Sequence, residues 1–496
     1  MREKQQDIVI GIDSSTQSTK AVAWNAEGEM LGEGRMDIPL SMPQAGYAEQ
    51  DCADWWRAAA GSLKTLTGQI DPARVAGVAV SNQRETVAFL DEQGEAVRPA
   101  MVWLDERARS ELDKVEKEFG NDRLHQLNGK PHDITPVFYR LKWMHTHHPQ
   151  QLKSINKIVD VHSFLCRKLT GRFVSSWTSA DPSGAFDIRE KKWSQPVLDY
   201  LELKQDQFAD TCRPGDFVGS VHEAAARETG LLEGTAVYAA GGDGQCAGLG
   251  VNATRQGQVY LNLGTALITG AWSADAHISH HWRTMTSPNG EGYFLEGVQR
   301  AGTLLLDWFV NNFIHSPAED KRALLDVLEK RAEDIEIGSE GVTVCPYLTG
   351  CMDPHWDPAA RASFHGLSPN HGREHIYRAL LEALTLESAR FIENMRLEGL
   401  EPEHIIAVGG GGNSKLWTKM FCDATGLPLS VSHSLEASSL GAAMSAAVGA
   451  GWFSGFAEAA ERMSRMQAPI MPDPKVKPQW DSLSVRQARA YTAGRL

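Results

Sequence analysis

One short pattern occurs twice and does most to limit what this chain can fold into. Near the N-terminus IVIGIDSSTQSTKAVAWN (Ile8 to Asn25) reads as a strand, a polar turn and a second strand. About 250 residues later GQVYLNLGTALITGAWS (Gly257 to Ser273) repeats that shape around a Gly-Thr turn, with hardly a letter in common. Two copies of one strand-turn-strand unit, in a chain of 496 residues, point to two similar domains facing each other. The boundary is expected in the glycine-containing polar stretch from Gly250 to Arg255, giving domains 1–252 and 253–496.

The segments between the copies read as α/β. Asp51 and Asp54 precede WWRAAAGSLKTL, and acidic residues favour a helix start. VAGVAVSN (Val75 to Asn82) is a buried strand running into Gln-Arg-Glu, and TVAFLDEQGEAV is a hairpin turned by Gly94. Strands in sequence, then helices, predict a mixed sheet. Late in the chain IIAVGGGGNSKLW (Ile405 to Trp417) carries a short strand into four glycines, with Asn413 and Ser414 as helix N-cap candidates. That arrangement lets a ligand approach the backbone and meet free N–H groups.

Composition excludes several classes. With 63 acidic against 49 basic residues the formal charge is −14, a poor match to nucleic acid or an anionic membrane. The opening MREKQQ is charged and the apolar run after it ends at Asp13, which does not read as an export signal. The most apolar stretch, SSLGAAMSAAVGAGWF (Ser438 to Phe453), is short of the roughly 20 residues of a membrane span and reads as a tightly packed internal helix. Seven scattered cysteines without C-x-x-C suit reduced thiols, hence a cytoplasmic protein.

Three strings carry chemistry. GIDSSTQSTK (Gly11 to Lys20) sets a carboxylate, Asp13, at a strand end before hydroxyls and a lysine, a set able to cradle phosphate and hold Mg²⁺ through water. The same letters also fit a polar hairpin. GGDGQCAGLG (Gly241 to Gly250) leaves Asp243 uncovered among glycines, where it is able to accept a proton from an attacking hydroxyl; an Asp-Gly turn is the plain alternative. SNQRET (Ser81 to Thr86) puts Arg84 and Glu85 at a strand end, as sugar-hydroxyl partners or as a surface ion pair. Histidines at 145, 147 and 148, and at 277, 280 and 281, have no cysteine or placed acid nearby and are read as helix or loop residues. G-x-x-x-x-G-K-[ST], H-E-x-x-H and G-x-S-x-G are all absent.

Taken in order, these strings resemble the FGGY family of carbohydrate kinases over nearly the whole chain. GIDSSTQSTKA is similar to the first phosphate motif, GYAEQDCADWW to the stretch after it, and SNQRET to the sugar-contacting strand end. GGDGQ is similar to the catalytic aspartate loop, LNLGTA to the second phosphate motif and VGGGGNSKLW to the adenosine turn. ASFHGLSPNHGREHIYRALLE nearly fits the later signature, with Leu380 departing from it. The resemblance implies two actin-like or Hsp70-like (ribonuclease H-like) domains around a cleft, with ATP and Mg²⁺ as cofactors. By position it implies Asp243 as base and Asp13 as the water-mediated Mg²⁺ residue. Ser15, Thr16, Lys20, Gly264 and Thr265 fall near the phosphates, Gly410, Gly411 and Asn413 near adenosine, and Gln83, Arg84, Glu85, Trp103 and Asp105 near the sugar.

The implied reaction is phosphorylation of a ketopentose such as xylulose, with a polyol (glycerol, erythritol or a pentitol) as the alternative acceptor. A conformational ATPase of the same fold is the alternative outside sugar chemistry. The arrangement has no call for nucleic acid or membrane and is compatible with a homodimer. Two departures bear on it. Ser15 stands where the first phosphate motif often has glycine. SNQRET is closer to the glycerol-kinase form, whereas YLTGCMDPHWDPAARASFHGL is closer to the xylulokinase form, and Thr135 or Pro136 falls where glycerol kinases place a tyrosine.

Overall fold

The opening hairpin forms as its alternation predicts. In the computed structural model, which describes residues 6–314 and 321–493, β1 (Ile8–Ser14) pairs antiparallel with β2 (Ser18–Trp24), and β2 with β3 (Met30–Asp37). Helix α1 (Cys52–Thr67) follows, its N-terminus capped by the Asp51 carboxylate accepting from Ala53 N at 2.9 Å. β4 (Val75–Asn82) returns parallel to β1. A lobe containing α2 (Val137–His147) and α3 (Val161–Thr170) is inserted before β5 (Phe217–Ser220) and β6 (Ala236–Gly242). The sheet order is β5-β6-β4-β1-β2-β3. Ala88–Leu90, in the expected hairpin, does fold back through Val97 N to Phe89 O, but its ladder partner is Lys157–Val159.

The second sheet repeats this plan. β7 (Gln258–Leu263) and β8 (Leu267–Ser273) form the hairpin, β9 (Arg283–Thr286) and β10 (Tyr293–Gln299) extend it, and β11 (His404–Val408) and β12 (Leu429–Val431) run parallel to β7. The order β10-β8-β7-β11-β12 matches β3-β2-β1-β4-β6 strand for strand and direction for direction. The faint echo between the two hairpins is thus a duplicated fold, each copy carrying one extra edge strand.

Alternation along β1 shows how the lobes are joined. Ile8, Ile10 and Ile12 pack against α1 and α3, whereas Val9 faces the other way, into a cluster with Leu440, Ala443 and Met444. Those three lie on helix α7 (Ala437–Gly449), which crosses helix α4 (Asp243–Gly250) beneath the cleft; α5 (Arg373–Leu397) and α6 (Lys415–Thr425) lie between β10 and α7 in the chain. The crossing brings backbones into contact. A Cβ on Gly441 would sit 1.9 Å from Cys246 O, and one on Gly250 2.1 Å from Ala437 O. The small-residue helix expected from the sequence is therefore the cross-brace of the two lobes, and only glycine fits at the contact.

All seven cysteines are unpaired thiols, and among the described residues no helix is long and apolar enough to cross a membrane. The charged opening MREKQ and the C-terminal residues 494–496 lie outside the described residues.

Candidate active site

Four charged side chains, two from each lobe, meet at the base of the cleft. Arg84 and Glu85 follow β4, while Arg283 and Glu296 face each other across the β9–β10 ladder. Arg84 Nη1 donates to Glu296 Oε2 at 2.9 Å and to Gln245 Oε1 at 3.1 Å, and its Nε lies 3.2 Å from Asp243 Oδ1. Arg283 donates to Glu85 Oε1 at 2.7 Å and to the second oxygen of Glu296. The result is a series of alternating charge, Arg84–Glu296–Arg283–Glu85, buried at every member, and its two ends are chain neighbours that attract without an ion-pair contact, which completes a ring in charge alone. Burial pushes the Glu296 carboxyl up, but the two guanidiniums outweigh it and hold it below its ordinary range. For Glu85 burial wins over Arg283 and Arg84, and its carboxyl is raised. Glu85 also holds a left-handed φ of 49°, unusual for a non-glycine residue and a mark of an over-determined site.

Asp243 begins α4 directly after β6. Burial raises its carboxyl and Arg84 works against that, so the group is drawn toward neutrality while keeping one guanidinium contact. Asp13, at the end of β1, is raised to about 7, first by burial and then by the charge of Asp243, with a Ser81 hydroxyl 3.2 Å from Oδ1. Two buried carboxylates at separate strand ends, one raised by the charge of the other, are a donor set that a divalent cation would relieve. Among the described residues no three acids, histidines or cysteines gather into a direct cage. The donors therefore suit Mg²⁺, which keeps most of its waters and takes one or two carboxylates plus phosphate oxygens.

A cavity of about 220 Å³ opens beside Asp243 between the lobes. Thr16, Gln83, Arg84, Glu85 and Trp103 line it from the first lobe, and Ile268, Arg283, Val298 and Arg300 from the second. Gln83 is oriented by its amide donating to Gln50 Oε1 at 2.9 Å, and Trp103 Nε1 donates to Thr16 Oγ1 at 2.9 Å. The fully buried Arg140 of α2 fastens three wall segments by donating to the carbonyls of Glu85, Val102 and Thr135.

Most expected residues converge here, and a few do other work. Asp105 does not face the cavity: both its oxygens bind Arg107 at 2.7 Å, and one also accepts from Ala48 N, so it shapes the loop behind Trp103. Lys20 reaches across the cleft to Glu436, the residue before α7. Ser15 keeps a negative φ, its hydroxyl donating to Ser18 O at 2.9 Å, so the turn does not need glycine at that position. Gly264 and Thr265 form the β7–β8 turn and Thr265 is exposed. Gly410 and Asn413 are exposed in the turn after β11, while Gly411 serves packing: a Cβ there would lie 2.7 Å from the Trp417 ring. Ser414, not Asn413, caps α6, accepting from Trp417 N at 3.0 Å. His147 lies 3.3 Å from Glu111, and the His280 ring packs tilted against that of His125 with centroids 4.7 Å apart.

Sequence reasoning missed Glu296, Arg283, Arg140 and Arg300. The only local signal was a lone carboxylate in the apolar strand YFLEGV, a place where an acid is not tolerated unless it is paired.

The model for the FGGY family of carbohydrate kinases, N-terminal domain, matches residues 8–250, and the one for its C-terminal domain matches 259–450. The chain belongs to the FGGY family of carbohydrate kinases. It is 28% identical to the xylulose kinase of Bacillus subtilis (strain 168) over 470 residues, 94% of this chain and 92% of that one. To the gluconokinase of the same organism it is 25% identical over 442 residues, 88% and 86% of the two chains. The crystal structure of xylulose kinase from Rhodospirillum rubrum superposes with a TM-score of 0.91 at 26% identity, covering 98% of both chains. This FGGY kinase is accordingly an ATP-dependent sugar kinase on the actin-like ATPase fold.

Proposed function

We propose that this FGGY kinase transfers the γ-phosphoryl group of ATP to the terminal hydroxyl of a ketopentose, xylulose first among them, with Asp243 as general base. The hydroxyl proton passes to Asp243, the freed oxygen attacks the γ-phosphorus, and the bond to the β-γ bridging oxygen breaks to leave ADP. Asp13 is the residue that would hold Mg²⁺, which would supply charge neutralisation at the phosphates. Thr16, Gly264 and Thr265 bracket the phosphates from the two hairpin turns, with Lys20 at the rim. Gly410 and Asn413 face adenosine on the turn that Gly411 shapes. Gln83, Arg84, Glu85 and Trp103 hold the sugar. Residues 1–252 then carry sugar and base, and 253–496 the nucleotide. The free thiols suit a reducing compartment, which supports a cytoplasmic location.

The observation that carries this reading is the cavity beside Asp243. Its volume of about 220 Å³ lies below the roughly 300–1,000 Å³ of pockets for drug-sized ligands and suits a chain of five or six carbons. Its charges select among the chemistries of related kinases. Arg84 and Arg283 are matched by Glu296 and Glu85, and Arg300 lies between Asp133 and Glu106. A carboxylate substrate such as gluconate would meet Asp243 without a spare cation, so a neutral ketose or polyol is favoured. Arg84 and Glu85, in the string closest to the glycerol-kinase form, keep a polyol as the second reading. An ADP-release screen over ketopentoses, pentitols, glycerol, erythritol, hexuloses and gluconate tests both. Xylulose should give the highest kcat/KM; gluconate ranking first would overturn the reading.

A further inference from the structure

Strand β10 places Glu296 and Val298 on one face by simple alternation, and Arg300, directly after its last residue, lines the same cavity as Val298, while Gly297 and Gln299 turn to α5, where the Gln299 amide donates to Leu384 O at 3.1 Å and Ser388 Oγ at 2.8 Å. Glu296 is tied through Arg84 to Asp243. Arg300 stands four residues further along, about 13 Å away at the usual rise of about 3.3 Å per residue. It lines the same cavity as Asp243. The sugar pocket thus has a reacting end at Asp243 and a distal end at Arg300.

The state of this guanidinium differs from that of its neighbours. Arg84 and Arg283 line the cavity too, but each already donates to a buried carboxylate of the ring. Arg300 lies 3.6 Å from Asp133 Oδ1 and 3.9 Å from Glu106 Oε1, ion-pair separations longer than a hydrogen bond. Among the described residues its side chain makes no hydrogen bond to protein. Its flanking acids are themselves fixed: Asp133 accepts from Thr135 N at 3.2 Å and from the Thr135 hydroxyl, and Glu106 from Arg109 at 2.7 Å. The charge is held and neutralised, yet the planar fork of donors remains uncommitted and faces the cavity. Neutral hydroxyl and carbonyl oxygens are its complement, and a carboxylate there would face Asp133 and Glu106.

We propose that Arg300 is the specificity-determining residue of the pocket, binding the oxygen atoms at the end of the sugar that is not phosphorylated. This rests on the reading that Asp243 meets the reacting hydroxyl. Arg300 and its two acids come from different lobes, so the distal subsite is completed only when the lobes approach, and acceptors too short to span the pocket do not engage it.

The test compares kcat/KM for the best acceptor of the ADP-release screen with that for glycerol, in wild type, Arg300→Ala and Arg300→Lys. Loss of a charge-assisted hydrogen bond to a buried ligand is expected to lower this selectivity ratio by about tenfold or more in the alanine variant, mainly through KM. Lysine, which keeps the charge without the fork, should fall between, and melting curves report whether each variant is folded. A ratio within about twofold of wild type in Arg300→Ala, or equal losses for both acceptors, overturns the proposal. If the alanine variant does not fold, an unchanged ratio in Arg300→Lys does the same. Using the best acceptor whatever it is separates the two readings: inactivity on ketopentoses sinks the substrate assignment while the ratio still judges Arg300. Glycerol ranking first would overturn the distal subsite outright.

Discussion

Glu296→Gln probes the buried ring where it is most exposed to arithmetic. Glu296 is 0% exposed at the side chain and serves two guanidiniums that are 6% and 5% exposed. Removing one partner of a buried ion pair costs about 3–5 kcal/mol, because the remaining charge is left uncompensated. Here two cations lose their shared anion, while glutamine retains one acceptor oxygen, so a loss of at least about 3 kcal/mol is expected. The same change acts on the base. Glu296 is one of the charges that raise Asp243, and Arg84, released from it, acts more strongly on Asp243. The base must be ionised to work, so activity falls as pH drops through its pKa, and lowering that pKa moves the acid limb of kcat/KM to lower pH. Urea unfolding at constant m measures the first effect, and the pH profile with saturating ATP measures the second. A stability loss under about 1 kcal/mol, or an acid limb that stays in place or moves to higher pH, would refute the account of the ring.

Other perturbations read neighbouring parts. Asp243→Asn should leave ATP binding nearly intact and lower turnover by at least about 10²-fold; wild-type turnover would remove it as the base. Asp13, raised from 3.8 to about 7, favours the folded state less and less as pH rises across that interval. Ligand-free Asp13→Asn should therefore be more stable than wild type at pH 8, by about 1–2 kcal/mol after discounting for solvent, with the gap closing toward pH 4, and should lose Mg²⁺-dependent turnover. Thermal melts across pH decide the first part. Gly411→Ala should destabilise by about 1–3 kcal/mol through its clash with Trp417, whereas Gly410→Ala, with nothing within 4 Å, should melt like wild type and raise the KM for ATP.

What could be read in the sequence was local. The alternation in IVIGID and the polar turn after it specify a hairpin with a carboxylate at its mouth, because strand pleat and turn chemistry act over a few residues. The glycine turn at 409–412 was visible for the same reason, as was the small-residue character of α7, whereas Asp243, read as part of a loop, opens helix α4. The duplication was legible in shape only, since the two hairpins share hardly any letters.

The rest depended on partners remote in the chain. Arg84 finds Glu296 212 residues away, Arg283 finds Glu85 198 away, and Lys20 finds Glu436 416 away. Asp105 shows the converse: a residue in the right neighbourhood is turned from the cavity because Arg107, two positions on, captures both of its oxygens. Whether a charge is spent in packing or kept for a ligand is set by a sum of desolvation and Coulomb energies over everything within a few ångströms, and only folding decides which groups those are.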